Sequence, residues 1–194
     1  FDLRRGETLA IVGESGSGKS VTTKAILGIL PGNGTIEGGE ILYNGSDLAR
    51  FTDREFEDVR GKKISLVFQD PLSALNPIMK IGKQITEALV LSKTATKGEA
   101  RERALELMRR VGIPQPEIRF NQYPFQFSGG MRQRIVIAIA LACNPEILIC
   151  DEPTTALDVT IQAQILELIN EIKERNNLSI IFITHDLGVV AKVA

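Results

Sequence analysis

Two short stretches of the chain carry residue types that can bind phosphate and activate water. Ser128, Gly129 and Gly130 stand at the start of a long apolar helical pattern, and backbone N–H groups at a helix start bind anions. Asp151 and Glu152 end an apolar run. A buried strand there would present both carboxylates at its carboxyl end. Asp151 can hold Mg²⁺ through water, and Glu152 can polarise an attacking water.

A third stretch, residues 13–20, fits the phosphate-loop pattern G-x-x-x-x-G-K-[ST]. An apolar strand pattern at 8–12 precedes it and a helical pattern at 19–30 follows it. Lys19 can reach β- and γ-phosphate oxygens, and Ser20 can offer its hydroxyl to Mg²⁺. The residues predicted here to contact a nucleotide are Gly13, Ser15, Gly16, Ser17, Gly18, Lys19, Ser20 and Val21.

Two further polar residues follow predicted strands. Gln69 comes after the strand pattern at 64–68, and His185, the single histidine, comes after an apolar run. Parallel strands end at one edge of a sheet, so both side chains can lie beside the phosphate loop. Gln69 can bond Mg²⁺ or the water, and His185 can contact the γ-phosphate. A strand-end glutamine and a lone histidine are also common as structural residues, and both interpretations stay open.

Other motifs also have a structural interpretation. Asp151 and Glu152 could form a solvated turn, and Ser128 could be an ordinary helix cap. Asp158 is predicted to cap a helix that reaches about residue 175, a role compatible with a functional one.

The hydrophobic pattern predicts the elements that position these residues. Strands at 8–12, 64–68, 146–150 and 178–184 are apolar throughout, which predicts a mainly parallel sheet buried on both faces between helices. A strand at 39–43, closed by Asn44-Gly45, predicts an antiparallel β portion.

From residue 71 the pattern becomes helical, at 78–91 and 97–111 among others. The fold class expected is therefore α/β: a P-loop NTPase core with an inserted α-helical subdomain. The core is assigned to residues 1–70 and 144–194. The helical subdomain is assigned to residues 71–143 and carries the Ser128 motif.

Composition is that of an ordinary globular protein. The chain has 194 residues, of which 43% are hydrophobic and 24% charged, with a formal net charge of -1. A protein binding nucleic acid through bulk electrostatics is usually more basic, so no nucleic-acid partner is expected. Cys143 and Cys150 lie in apolar runs and are expected to be buried, reduced thiols. Because the chain begins at Phe1 without Met, we expect a fragment or a trimmed domain.

Taken in order, these motifs resemble those of the ATP-binding subunit of an ABC transporter. The resemblance covers essentially the whole chain. It pairs residues 13–20 with the Walker A loop, Gln69 with the Q-loop, Ser128-Gly129-Gly130 with the signature, residues 147–152 with Walker B, residues 156–158 with the D-loop, and His185 with the switch histidine.

Within that family, residues 68–77 and 130–134 are similar to the branch that imports peptides and nickel. Met131 matches this branch, whereas Phe127 stands where the family usually has leucine. Val21 replaces a common hydroxyl residue, and the family's adenine-stacking aromatic would lie upstream of Phe1.

The resemblance implies ATP and Mg²⁺ as cofactors and two ATPase subunits, alike or different, paired head to tail. Ser128, Gly129 and Gly130 would act on the partner's nucleotide, and Asp158 would line the seam. The implied catalytic residues are Glu152, His185 and Gln69, and the implied metal site is Ser20, Gln69 and Asp151.

It also implies docking of a transmembrane permease on the helical subdomain, at the cytoplasmic face of the inner or plasma membrane. Two other functions compete with transport. One is a soluble ABC-type ATPase of DNA repair or translation, which would copurify with DNA or ribosomes. The other is a kinase, which would need an acceptor before it released phosphate.

Overall fold

The computed structural model describes residues 1–14, 16–32, 34–155 and 157–193. Strands and helices mix toward both ends of the chain, and the described residues between 71 and 143 form only helices and loops. The strands are β1 (Thr8–Val12), β2 (Leu42–Tyr43), β3 (Ser46–Asp47), β4 (Ile64–Val67), β5 (Ile147–Asp151) and β6 (Ser179–Thr184). The α-helices are α1 (Lys19–Ile26), α2 (Asp53–Phe56), α3 (Pro71–Ala74), α4 (Ile81–Leu91), α5 (Ala100–Arg110), α6 (Pro116–Arg119), α7 (Gly129–Leu141), α8 (Val159–Asn176) and α9 (Leu187–Val193).

Four strands form a parallel sheet in the order β1-β6-β5-β4, and β2 pairs with β3 as a small antiparallel hairpin. The expected α/β class, with a mainly parallel sheet and an antiparallel portion, is confirmed. In β5, Leu148 and Cys150 pack into one apolar cluster, whereas Ile149 packs into the other. Alternate side chains therefore leave opposite faces of the sheet, and helices cover both.

Burial on both faces was the wrong expectation for β1. Its residues are only partly buried, and Val12 is 42% exposed. The reason is its place in the strand order, since β1 lies at one end of the four-stranded sheet.

The expectation that both cysteines are buried holds for one of them. Cys150 is buried, but Cys143 is only half-buried, and both thiols are free.

The helices of the middle section pack on one face of the sheet. Ile85 of α4, Met108 of α5 and Ile137 of α7 are fully buried in the same cluster as Leu148 and Phe182 of the sheet. Burial of these apolar surfaces joins the helical section to the core.

The division of the chain into two parts at residues 71 and 144 remains a prediction. No helix in the described part of the chain combines the length and apolarity that crossing a bilayer requires.

The two longest helices begin at the predicted caps. Ser128 Oγ accepts from the N–H of Met131 at 3.4 Å, and Asp158 Oδ1 accepts from the N–H of Ile161 at 3.0 Å. Each bond satisfies a backbone donor that the first helical turn leaves unpaired. These caps place the N-termini of α7 and α8 at defined points in the fold.

Candidate nucleotide-binding and hydrolysis site

The carboxyl ends of the parallel strands bring the predicted residues to one edge of the sheet. Val12 pairs with Thr184, and Asp151 pairs with Ile183. The phosphate loop therefore starts beside the strand that ends before His185, and Asp151 lies one strand further along. This is the edge where α/β proteins bind their ligands.

The phosphate loop folds around the ammonium group of Lys19. Nζ donates to the carbonyl oxygens of Gly13 and Glu14, each at 2.7 Å, and contacts Ser17 Oγ at 3.4 Å. Gly18 has a φ of +90°, a conformation that a side chain would strain, and it leads into the first turn of α1. Gly16 also has positive φ, Val21 is 53% exposed on α1, and Ser15 lies outside the described residues.

Ser20 and Asp151 form a pair of oxygen ligands beside this loop. Ser20 Oγ donates to Asp151 Oδ1 at 3.0 Å. Asp151 is only 7% exposed, and burial raises the pKa of its carboxyl, while the bond from Ser20 acts in the opposite direction. In phosphate sites Mg²⁺ usually takes one or two carboxylates together with substrate oxygens and waters. This hydroxyl and carboxylate, adjacent at the phosphate loop, fit that requirement.

The side chain of Glu152 contacts three of the other predicted residues. It has a φ of +47°, and its N–H donates to the carbonyl of Ile183 at 3.0 Å, which fixes the backbone as the chain leaves β5. Its Oε2 accepts from Gln69 Nε2 at 3.1 Å and lies 3.3 Å from Nδ1 of His185. Its Oε1 lies 3.8 Å from Lys19 Nζ. The carboxylate thus joins β5, β6, the end of β4 and the phosphate loop.

One residue that contacts Glu152 was not among those predicted from the sequence. Thr155 Oγ1 donates to Glu152 Oε2 at 2.9 Å. Thr155 follows Glu152 by three residues, and the backbone turns back here, with the N–H of Thr155 donating to the carbonyl of Glu152 at 3.3 Å. A hydroxyl three residues after a strand-end acid was the available signal, but only the turn shows that it reaches the carboxylate.

The structure separates the predicted residues into two groups. In the first group, Glu152 contacts Lys19, Gln69 and His185, and the bonded pair Ser20 and Asp151 directly adjoins Lys19 and Glu152 in the chain. The described hydrogen bonds of the Ser128 and Asp158 side chains are instead the local caps of α7 and α8. We call residues 128–130 the signature turn. A Cβ added at Gly129 would lie 3.5 Å from Leu157, so the signature turn adjoins residues 157–158, which we call the Asp158 turn. Ala156 lies outside the described residues.

Comparisons with known proteins show what this chain is similar to. A family model described as ABC transporter matches residues 1–155. A dimeric structure of an ATP-binding cassette in a post-hydrolysis state, bound to ADP and Pi, superposes with a TM-score of 0.85 at 30% identity. The match covers 99% of this chain and 80% of that one.

Curated relatives carry peptide-transport names. The oligopeptide transport ATP-binding protein OppD of Bacillus subtilis is 61% identical over 100% of this chain and 54% of its own length. The dipeptide transport ATP-binding protein DppD of Lactococcus lactis is 60% identical over 100% of this chain and 56% of its own length. The chain thus spans about half the length of these relatives.

Proposed function

This chain belongs to the ABC transporter family, and on that premise we propose that it is the ATP-hydrolysing subunit of an importer of peptides or a related small solute. The observation that carries the proposal is the network around Glu152, which joins Lys19, Gln69 and His185 at one sheet edge. A carboxylate held beside a phosphate-loop lysine is placed to act on water at a terminal phosphate.

ATP binds through its phosphates to the loop and the start of α1. The ammonium of Lys19, which donates to loop carbonyls here, turns to the β- and γ-phosphate oxygens when they enter. Backbone N–H groups of the glycine-rich loop supply the other donors. The proposed contacts are Gly13, Ser15, Gly16, Ser17, Gly18, Lys19, Ser20 and Val21.

Ser20 and Asp151 are the proposed holders of Mg²⁺, since their oxygens already lie 3.0 Å apart. When bound, Mg²⁺ neutralises charge on the β- and γ-phosphates. Gln69 is the third proposed ligand. Its Nε2 donates to Glu152, so its amide oxygen is left to face the metal or the attacking water.

Glu152 is the proposed general base. It takes one proton from a water whose oxygen attacks the γ-phosphorus, while the bond from that phosphorus to the β–γ bridging oxygen breaks, giving ADP and phosphate. His185 and Gln69 contact Glu152 directly and are proposed to hold the γ-phosphate and the water in line.

A second ATPase subunit, identical or different, completes each site. Ser128, Gly129 and Gly130 are proposed to bind the γ-phosphate held by the partner, and Asp158 to line the seam. Two observations support this proposal. Among the described residues, the signature turn makes none of the contacts that join the Glu152 network, and it lies at the start of the 13-residue helix α7, where backbone N–H groups can bind an anion. The structural relative bound to ADP and Pi is itself dimeric.

The transport partner is a transmembrane permease at the cytoplasmic face of the inner or plasma membrane. The names of the curated relatives favour peptides as the solute. A cavity of about 800 Å³ beside the helical section, lined by apolar residues such as Phe68, Leu91 and Cys143 and by several charged ones, offers a recess for a permease segment. Phe68 directly precedes Gln69, so docking would adjoin the hydrolysis site.

Glu152→Gln tests the proposal. Removing the base should lower ATP hydrolysis about 10²–10⁴-fold and leave an ATP-bound dimer that light scattering detects in ATP and Mg²⁺. Glu167→Gln, the same change at an exposed position of α8, is the matched control and should hydrolyse normally. Hydrolysis by Glu152→Gln at the wild-type rate would show that another group is the base.

A further inference from the structure

The second glycine of the signature turn is buried against the first turn of α8. A Cβ added at Gly130 would lie 2.5 Å from Cγ2 of Ile161, closer than real Cβ contacts. Gly129 differs, since it is exposed and its Cβ would make only ordinary contact with Leu157 at 3.5 Å. The lack of a side chain at Gly130 is therefore what lets α7 approach α8 so closely.

Ile161 has little freedom to move away. It is β-branched, and in a helix such a side chain keeps essentially one χ1 rotamer, so Cγ2 cannot swing aside. Its backbone is fixed as well, because its N–H donates to the cap Asp158 at 3.0 Å. An alanine at position 130 would have to push the start of α7 away from α8.

A hydrogen bond also joins α7 and α8 about one turn beyond Gly130. Arg134 of α7 donates from Nη2 to Gln164 of α8 at 3.3 Å and from Nη1 to the carbonyl of Val111 at 2.7 Å. The signature turn and the Asp158 turn are thus parts of one packed unit, joined at Gly130 and again at Arg134.

We propose that Ile161 is a positioning residue that sets the place of the signature turn relative to Asp158. The inference rests on the proposed function, in which the signature turn binds the nucleotide of the partner subunit and Asp158 lines the seam between the subunits. Ile161 itself touches no nucleotide. Its packing under Gly130 determines where the anion-binding N-terminus of α7 meets that nucleotide.

The test is a set of variants in the purified protein with Mg²⁺ and ATP. Gly130→Ala should lower kcat about 10- to 100-fold, as expected for a displacement near 1 Å. ATP affinity measured by fluorescent-nucleotide titration on the monomer, at low protein concentration, should stay at the wild-type value, because the nucleotide is then held by the phosphate loop of its own chain. Gly98→Ala, where an added Cβ meets open space, is the matched control and should leave kcat unchanged.

Rescue distinguishes packing from direct contact with the nucleotide. Ile161→Ala removes Cγ2 and should bring kcat of Gly130→Ala back to within about threefold of Ile161→Ala alone, the non-additivity of residues in contact. Ile161→Val keeps both branches at Cβ, so it should not rescue. Failure of Ile161→Ala to rescue, or equal rescue by Ile161→Val, would overturn the inference.

Thermal unfolding without nucleotide gives a second readout that is independent of hydrolysis. Gly130→Ala should lower Tm, and the loss should shrink in the Ile161→Ala background. Additive Tm shifts would overturn the packing argument. A wild-type protein that hydrolyses no ATP would instead overturn the proposed function, while the Tm cycle would still decide whether the contact exists.

Discussion

Replacing Thr155 by valine should lower kcat for ATP hydrolysis about tenfold, because about 1.4 kcal/mol corresponds to one decade in rate. Valine keeps the shape of threonine and removes only the hydroxyl that donates to Glu152 Oε2 at 2.9 Å. A hydrogen bond to a charged group contributes about 1.5–3 kcal/mol. Thr155 is exposed, so we take the low end of that range.

The loss should appear in kcat because the hydroxyl orients the carboxylate and not the nucleotide. Gln69 and His185 still contact Glu152 in the variant, which limits the effect. A steady-state phosphate-release assay over a range of ATP concentrations separates kcat from KM. Tm should change little, since exposed substitutions alter stability by only about 0.5 kcal/mol.

Thr155→Ser is the matched control, because it keeps the hydroxyl and loses a methyl group. We expect its kcat to stay close to the wild-type value. A Thr155→Val enzyme that hydrolyses ATP as fast as the wild type would show that the hydroxyl does not orient Glu152. A serine variant as slow as the valine variant would show that the methyl group matters and not the hydroxyl.

Two further predictions concern the scaffold. Gly28→Ala should lower the free energy of unfolding in urea by about 3 kcal/mol, because φ is +62° and the new Cβ would overlap the Phe56 ring. Gly32→Ala is the control, because φ there is +58° and an added Cβ would meet open space. It should lose only the cost of the left-handed backbone, about 1 kcal/mol. A loss as large as that of Gly28→Ala would contradict the overlap with Phe56. Burial and a hydrogen bond to Glu146 raise the pKa of Tyr43 to about 12 from 10.0. The unfolded chain therefore loses that proton first, and stability should fall between pH 10 and 12 in wild type but less in Tyr43→Phe.

Sequence patterns predicted which residues lie together at the sheet edge more accurately than they predicted the bounds of the elements around them. The phosphate loop and the strand-end acids follow from local residue types with fixed spacing, so they could be placed in advance. The helix expected at 19–30 ends instead at Ile26, because Gly28 takes a left-handed conformation before Pro31 is reached.

What could not be predicted depends on contacts between distant parts of the chain. The approach of Gly130 to Ile161 joins two helices whose caps are 30 residues apart, and no local pattern encodes that distance. Thr155 is close to Glu152 in sequence, but its bond depends on a turn that follows the left-handed backbone of Glu152. Both residues add to a candidate site whose other members could be proposed from the sequence.

We propose that each ATP is hydrolysed between two subunits, with the acids of one chain and the signature turn of its partner. The most direct measurement is the ATPase rate per chain as a function of protein concentration, with mass followed by light scattering in parallel. If each site needs both subunits, the rate per chain should rise with concentration and level off as dimers form. A rate per chain that stays constant and full while the protein is monomeric would contradict it.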